Sequence, residues 1–403
     1  MKNPLESPDK LLFIDGLRAL AAIYVVMHHA KLHYILDTTK LSPIQKLTLS
    51  GLSFGHYAVG LFIVISGYSL MLPAIKRGYV VPNVSDFYWR RVKRILPPYY
   101  ISLLLSLLLI YFFIGTQKTL THWHMSIPVT FNTVLAHLFL IHDLFLSHVY
   151  KINHSLWSIS VECRIYLFFP LIVFFWKRLG PVVTLVVTIL FSAFLYIILT
   201  HFSNRYEDIN LASGVNPYIV LFVLGMFAAD MSFSDSRLSR FIDRLHLGTV
   251  MIFLIAVFVL FKKMLFTLNV QLDLDDETAI ADLIFGAVCF CLLVICGRPK
   301  YEKSFLRFFK QIFSWQPLVF LGMFAYSVYL VHAPILELIS VYLIPLFNIS
   351  SAYYATLVLI ILGTSIVVGL AYLFFLAFEK PFLNKRKESL KKTELNAVLN
   401  PAP

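Results

Sequence analysis

The sequence predicts an all-α integral membrane protein, folded as a bundle of about ten transmembrane helices. Of the 403 residues, 59% are apolar and only 14% are charged, which is too little polar surface for a soluble fold. Apolar stretches long enough to cross a bilayer recur along the chain, for instance at 182–199 and 357–378. Ten spans of about 20 residues each would occupy about half of the chain, which leaves no room for a sizeable soluble domain.

Hydropathy and charge together predict where the spans lie and how they are oriented. The predicted spans are 11–32, 54–75, 95–115, 155–176, 180–201, 214–231, 246–268, 278–297, 315–342 and 352–378. With the N-terminus inside, Lys and Arg residues on the inner side outnumber those on the outer side by about three to one. We therefore expect both termini to be cytoplasmic. The net charge of +12 then reflects topology, and a nucleic-acid partner is not expected.

The two ends of the chain are predicted to differ in character. Residues 1–384 are expected to form the transmembrane domain, and the basic, proline-ended residues 385–403 a disordered cytoplasmic tail. The polar residues 1–10 lead into the first span without a clear small-residue cleavage site, so we expect that span to be retained. All four cysteines fall in predicted spans, where we expect neither a disulfide framework nor a zinc knuckle.

A histidine-rich stretch separates the third and fourth spans and is predicted to be an outer, partly re-entrant loop. It runs over 116–154 and holds six of the 13 histidines, namely His122, His124, His137, His142, His148 and His154. The His122-Trp-His124 pair lacks both carboxylate partners and the His-x3-His spacing of a helical metal site. No metal is therefore predicted.

The first span carries ionisable residues, which are costly inside a membrane and are usually kept for a partner or a function. They include Asp15, Arg18 and His29. Eleven residues separate Arg18 from His29, which on a helix is three turns plus about 20° and an axial distance of about 16 Å. His28 lies about 80° off that line. We therefore expect Arg18 and His29 to face one internal cavity.

Three further positions carry candidate chemistry. Arg91 and Arg94, three residues apart, are spaced to hold one phosphate ester together, or else they are positive-inside anchors of the membrane. Glu162, inside the fourth span, needs a charged or hydroxyl partner, which favours a lined cavity. His332 precedes Pro334, where a kink or local unwinding is expected, and a lone histidine of this kind is more typical of packing.

Taken together, these segments resemble membrane-bound acyltransferase family 3, integral membrane proteins that O-acylate sugars and other acceptors with acyl-coenzyme A. The matching segments follow the family order along nearly the whole chain: Asp15-Gly-Leu-Arg18 with the Arg-x10-His pair, Leu61-Phe-Ile-Val-Ile-Ser-Gly-Tyr68, Arg91-x-x-Arg94, Trp157-Ser-Ile-Ser-Val-Glu162, Tyr326-Ser-Val-Tyr-Leu-Val-His332 and Glu379-Lys-Pro-Phe382. The resemblance adds Ser66, Tyr68 and Trp157 to Asp15 and His332 as cavity candidates.

The resemblance implies an enzyme of a bacterial inner membrane that moves an acyl group, most often acetyl, from acyl-CoA to a hydroxyl of an extracytoplasmic polysaccharide, lipopolysaccharide or glycolipid. Arg91 and Arg94 would engage the coenzyme A phosphate, with Arg18 on the acyl-pantetheine arm or on the developing charge. His29 would be the general base, and Glu162 would orient His29 or hold the acceptor. Both direct transfer and transfer through an acyl-enzyme are compatible with these residues.

The chain departs from the family pattern at Cys163-Arg164, where a polar residue and Gln or a similar residue are usual, and this weakens the case for a second carboxylate beside Glu162. A second class of function is a transporter or exporter of an acylated or sugar-linked metabolite, since buried charges would line its route as well. Secondary transporters often carry paired repeats. The span with Arg18 and His29 has no counterpart in the second half of the chain.

Overall fold

The computed structural model describes residues 11–34, 41–115, 121–203, 208–210, 217–267 and 274–383. Within these ranges the chain is helical, with no β-strand beyond one isolated bridge between Phe145 and Ile209. The α-helices are α1 (Leu12–Tyr34), α2 (Pro43–Ser50), α3 (Gly55–Lys76), α4 (Val84–Leu109), α5 (Phe131–Leu138), α6 (Trp157–Leu179), α7 (Pro181–Ser203), α8 (Tyr218–Phe233), α9 (Arg237–Arg244), α10 (Leu247–Thr267), α11 (Leu274–Gly297), α12 (Arg307–Phe313), α13 (Gln316–Gly322), α14 (Ala325–Leu338), α15 (Ala352–Val358), α16 (Thr364–Phe374) and α17 (Lys380–Leu383).

The predicted membrane bundle is confirmed. Nine helical stretches in the described residues are long and apolar enough to cross a bilayer: Leu12–Tyr34, Pro43–Lys76, Val84–Ile114, Trp157–Leu179, Pro181–Phe202, Leu247–Met264, Ala279–Gly297, Ala325–Phe347 and Ala352–Leu383. A tenth is reached if α8 and α9, which meet at an angle of 87°, are one broken span. The chain is thus a multi-pass membrane protein. The cytoplasmic orientation of both termini stays a prediction, and the predicted tail at 385–403 lies outside the described residues.

Three predicted spans differ in detail from the structure. The second is preceded by α2, so the apolar helical stretch begins at Pro43 rather than at 54. The third begins at Val84 rather than at 95, because the Asn83 side chain caps the helix by accepting a hydrogen bond from the backbone N–H of Asp86 at 2.9 Å. The ninth is divided into α13 and α14, with the break before Ala325, and α14 continues through Pro334. In a membrane bundle, neighbouring helices can satisfy the backbone groups that a proline leaves unpaired.

The centre of the bundle is a close crossing of α3 and α8. A Cβ atom added to Gly67 would lie 1.9 Å from the carbonyl oxygen of Phe222, and one added to Gly225 would lie 1.9 Å from the carbonyl oxygen of Val64. The two backbones therefore touch, as is typical of membrane helices that associate through small residues.

Replacing Gly225 with leucine is expected to destabilise the fold by at least about 3 kcal/mol, because the clash is with backbone atoms that cannot rotate away. Thermal unfolding in detergent would measure the effect. Gly369→Leu is the matched control, since no atom lies within 4 Å of a Cβ added there. Equal melting temperatures for the two variants would contradict the close crossing.

The histidine-rich stretch, predicted to be an outer, partly re-entrant loop, is packed against the bundle from residue 121 onwards. Residues 121–156, here called the cap segment, bury Trp123, Ile127 and Ile152 completely. Arg164 of α6 holds the segment through a two-pronged contact with the fully buried Asp143. A guanidinium–carboxylate pair of this kind fixes geometry as well as charge, so the cap segment is tied to the spans beneath it.

Candidate active site

A cavity between α1, α3, α4, α6 and α14 collects most of the predicted site residues. We call it the arginine pocket, and its charged and hydroxyl-bearing lining residues are Asp15, Arg18, Ser66, Ser69, Arg91, Arg94, Ser158, Glu162, Tyr166, Tyr326, Tyr329 and Glu379. Three arginines and three carboxylates thus share one enclosed space inside an apolar bundle. Because such groups are costly in a membrane unless they are paired or functional, their individual partners decide which are free to bind a ligand.

Arg18 is held in place by two neighbours. One of its terminal nitrogens donates to Asp15 Oδ1 at 2.9 Å, and the other donates to Ser69 Oγ at 2.9 Å. The side chain of Arg18 remains 23% exposed, so part of the guanidinium faces the cavity. The structure therefore positions Arg18 as a fixed positive charge on the wall of the arginine pocket.

Glu162 also lies on this wall, and its partners are hydroxyl groups. Ser66 donates to Glu162 Oε1 at 2.6 Å, and the hydroxyl of Tyr166, one helical turn further along α6, donates to the same oxygen. These donors satisfy the carboxylate without a histidine. No hydrogen bond joins Glu162 to His29 among the described residues, and the orienting role of Glu162 stays a prediction.

Arg91 and Arg94 reach the same pocket from α4. Arg91 packs its guanidinium over the ring of Phe87, 5.9 Å from the ring centroid, and its Nε is buried without a hydrogen-bond partner. Within the described ranges, neither arginine forms an ion pair with a carboxylate, whereas Arg90 pairs with Asp86. Two unpaired guanidinium groups on one cavity wall are suited to an anion such as a phosphate.

His29, predicted to share one cavity with Arg18, does not line the arginine pocket; it lies in a second constellation, about 16 Å along α1 from Arg18. Its ring is 5.9 Å from that of His122, 4.8 Å from that of His154 and 4.9 Å from that of His332. We call these four residues the histidine cluster. His28, predicted to lie off the line of Arg18 and His29, places its Nδ1 2.7 Å from the carbonyl oxygen of Leu52. The cluster unites α1, the cap segment and α14.

Hydrogen bonds assign the ring nitrogens of His29. Nδ1 of His332 lies 2.7 Å from the carbonyl oxygen of Tyr329, so this nitrogen carries a proton and donates. In a neutral His332, Nε2 is then an acceptor, and it lies 2.8 Å from Nδ1 of His29. His29 therefore donates from Nδ1, which leaves Nε2 as the nitrogen with a free lone pair.

The chain belongs to the acyltransferase 3 family. The sequence profile of this acyltransferase domain matches residues 11–376, which is nearly all of the chain. The chain is 25% identical to the O-acetyltransferase OatA of Staphylococcus aureus, over 98% of this chain and 62% of that protein. It is also 25% identical to the putative peptidoglycan O-acetyltransferase YrhL of Bacillus subtilis, over 91% of this chain and 54% of that protein.

The chain therefore spans just over half of the length of these curated relatives. No solved structure matches it significantly. The match identifies residues 11–376 as an acyltransferase domain within a multi-pass membrane protein, and it bears out the resemblance that the ordered motifs predicted. The two polar constellations are accordingly the candidates for its active site.

Two of the motif residues lie outside the arginine pocket of this family member. Tyr68 is fully buried between helices, with ring centroids 6.2 Å from both Phe13 and Phe233. Trp157 begins α6 and packs 5.7 Å from the ring of Tyr218. Both residues pack within the bundle rather than line the pocket. Tyr68 projects from a different face of α3 than Ser66, and Trp157 from a different face of α6 than Glu162.

Sequence reasoning missed the contribution of His122 and His154 to the cluster. Burial lowers the pKa of His122 to about 4 and holds the pKa of His154 well below its usual value. Both rings are thus neutral at pH 7. Nitrogen atoms of His29, His122 and His154 lie within 4.8 Å of one another, a set that could hold a metal ion although none was predicted. A tetrahedral zinc site needs nitrogens about 3.3 Å apart, so a bound ion would require the rings to close in.

Proposed function

We propose that this membrane acyltransferase is an O-acetyltransferase that moves an acetyl group from acetyl-CoA to a hydroxyl of a cell-surface carbohydrate. The observation that carries the proposal is the pairing of two constellations on one helix. The arginine pocket offers the unpaired guanidinium groups of Arg91 and Arg94, and Arg18 on its wall lies about 16 Å along α1 from His29, which carries the basic nitrogen of the histidine cluster. Such a spacing suits a donor with a charged head and a long arm that ends in a thioester.

The donor head would bind at Arg91 and Arg94. The phosphates of coenzyme A supply the anionic oxygens that these arginines lack from the described residues of the chain, and charge-assisted bonds of this type are among the strong hydrogen bonds. Arg18, fixed by Asp15 and Ser69, would then contact the arm as it passes through the arginine pocket. Tyr329 lines that pocket one helical turn before His332, so the route leads towards the cluster.

The chemical step would use His29 as the general base. Nε2 of His29 takes the proton of the acceptor hydroxyl while the hydroxyl oxygen attacks the acyl carbon. The carbon–sulfur bond then breaks, and the same proton passes from His29 to the departing thiolate. His332 keeps the His29 ring in the tautomer that this step requires, as an orienting group does in a hydrolase triad.

The orientation of the bundle determines from which side of the membrane each substrate enters. With the positive-inside excess, the arginine pocket opens towards the cytoplasm, where acetyl-CoA is found, and the histidine cluster lies towards the outer surface. We accordingly place the protein in a bacterial cytoplasmic membrane. The name of the Bacillus subtilis relative, a putative peptidoglycan O-acetyltransferase, favours a carbohydrate of the envelope as the acceptor.

The test is acetyl transfer by the native protein in proteoliposomes. Acetyl-CoA labelled in the acetyl group is supplied on the side of the arginine pocket, and peptidoglycan fragments or lipopolysaccharide on the other side. We expect label that is covalently bound to one of these glycans and released by mild alkali as an ester. Label that crosses the membrane without becoming covalently bound would instead identify a transporter, and the absence of both results would overturn the proposal.

A further inference from the structure

The cap segment places one histidine beside His29 with an unused nitrogen. His154 is 3% exposed, and its Nε2 is buried without a hydrogen-bond partner among the described residues. Leaving a buried polar group unpaired costs about 1–3 kcal/mol. Where a native structure keeps such a group beside other polar side chains, a catalytic role is one of the recognised reasons.

The hydrogen bonding of Ser126 indicates which nitrogen of His154 carries the proton. Ser126 is fully buried, and its Oγ lies 3.1 Å from Nδ1 of His154. A buried hydroxyl needs an acceptor for its own hydrogen, and Nδ1 of His154 is in place to be that acceptor. The proton of neutral His154 is then on Nε2, which makes Nε2 a free donor beside the free lone pair of His29.

The position of His154 is fixed by the residue before it. Asn153 is fully buried, and its side-chain nitrogen donates to the carbonyl oxygen of Leu330 at 3.0 Å and to Ser106 Oγ at 3.3 Å. Leu330 lies two residues before His332 on α14. The cap segment is therefore anchored to the helix that orients His29. This anchoring fixes the position of the hydrogen-bond donor of His154 relative to the base.

We infer that His154 is a second catalytic residue, whose Nε2–H donates to the carbonyl oxygen of the acyl group and stabilises the oxyanion that forms when the acceptor hydroxyl attacks. The inference rests on the proposed function and deepens it by assigning the acceptor side of the site to the cap segment. A ring nitrogen of His154 lies within 4.8 Å of one on His29, a gap suited to two oxygens on one tetrahedral carbon. The ring of His122 lies 4.8 Å from that of His154 and borders the same site.

The test compares His154→Leu, His154→Gln and Ser126→Ala in the transfer assay. Removing one oxyanion donor typically costs about 10²–10³ in kcat, so we expect His154→Leu to lose about 100-fold with an unchanged KM for acetyl-CoA. His154→Gln retains an N–H near the position of Nε2 and should recover most of that loss. Ser126→Ala removes the hydroxyl that keeps the proton of His154 on Nε2, and it should lower kcat about tenfold. His124→Ala, in the same segment but exposed, is the control.

Several results would overturn the inference. One is native kcat in His154→Leu, and another is an equal loss in the Leu and Gln variants with both unfolding at lower temperature. Should His154→Leu fail to fold, native kcat in Ser126→Ala decides against the inference. Stoichiometric zinc in the purified protein, with activity lost on chelation and restored by Zn²⁺, would make the histidines ligands instead. An inactive native protein overturns the proposed function itself, which separates the two failures.

Discussion

Replacing His332 with alanine is expected to lower kcat about 10³-fold while the KM for acetyl-CoA stays unchanged. His332 accepts the Nδ1 proton of His29 at 2.8 Å and is itself fixed by the carbonyl oxygen of Tyr329. Without that acceptor, the proton of His29 is free to move to Nε2, and the base is lost from the reacting side. General-base catalysis is worth about 10²–10⁴, which sets the scale of the loss. Initial rates at saturating acetyl-CoA would measure it.

Two further variants distinguish a positioning role of His332 from a role in packing. His332→Gln places an amide oxygen near the former Nε2, where it can accept from His29, and should recover much of the activity. Because His332 acts through His29, the double variant His29→Ala with His332→Ala should be no slower than His29→Ala alone. Additive losses in the double variant, or a Gln variant as slow as the Ala variant, would contradict the positioning role.

The paired substitution Arg91→Ala with Arg94→Ala is expected to raise the KM for acetyl-CoA about 10²-fold and to change kcat little. Each charge-assisted hydrogen bond to a phosphate is worth about 1.5–3 kcal/mol, which is about tenfold or more in affinity. The phosphates lie far from the reacting thioester, so their loss weakens binding rather than chemistry. The measurement is the dependence of the initial rate on acetyl-CoA concentration.

A neighbouring arginine and a shortened donor provide the controls. Arg90, which pairs with Asp86 on the exposed side of α4, should be replaceable by alanine without effect on KM. Acetyl-pantetheine lacks the nucleotide phosphates, so the native protein and the double variant should use it equally poorly. An advantage of the native protein on acetyl-pantetheine would show that the arginines act on something other than phosphate.

Periodicity and charge were sufficient to predict the bundle and to single out residues that lie in its two polar constellations. The eleven-residue spacing put Arg18 and His29 on one face of α1, and hydropathy located the spans of the structure to within about five residues, except at Pro43, at Val84 and before Ala325. Buried charge pointed to Glu162, since the membrane gives such a residue few alternatives. These inferences depend on helical geometry and on the bilayer as solvent, and both leave a pattern among residues that are close together in the sequence.

The rest of the site depends on contacts between distant parts of the chain. The residue that hydrogen-bonds to His29 comes from α14, 303 residues further along, whereas the sequence analysis gave the orienting role, or that of holding the acceptor, to Glu162. His154 lies in a polar, irregular segment where no periodic pattern indicates which side chains face inwards. Arg164, a departure from the family motif, found its partner in Asp143 of the cap segment. Such pairings arise from tertiary packing, which a single sequence does not encode locally.

The distance between the arginine pocket and the histidine cluster also bears on how turnover is controlled. Arg91 and Arg94 would hold the portion of the donor that the reaction leaves unaltered, so spent coenzyme A keeps every contact that acetyl-CoA makes there. Spent carrier then competes with fresh donor on nearly equal terms. The rate of surface modification would follow the ratio of acetylated to free coenzyme A in the cell, and thus its carbon supply, without a separate regulatory site.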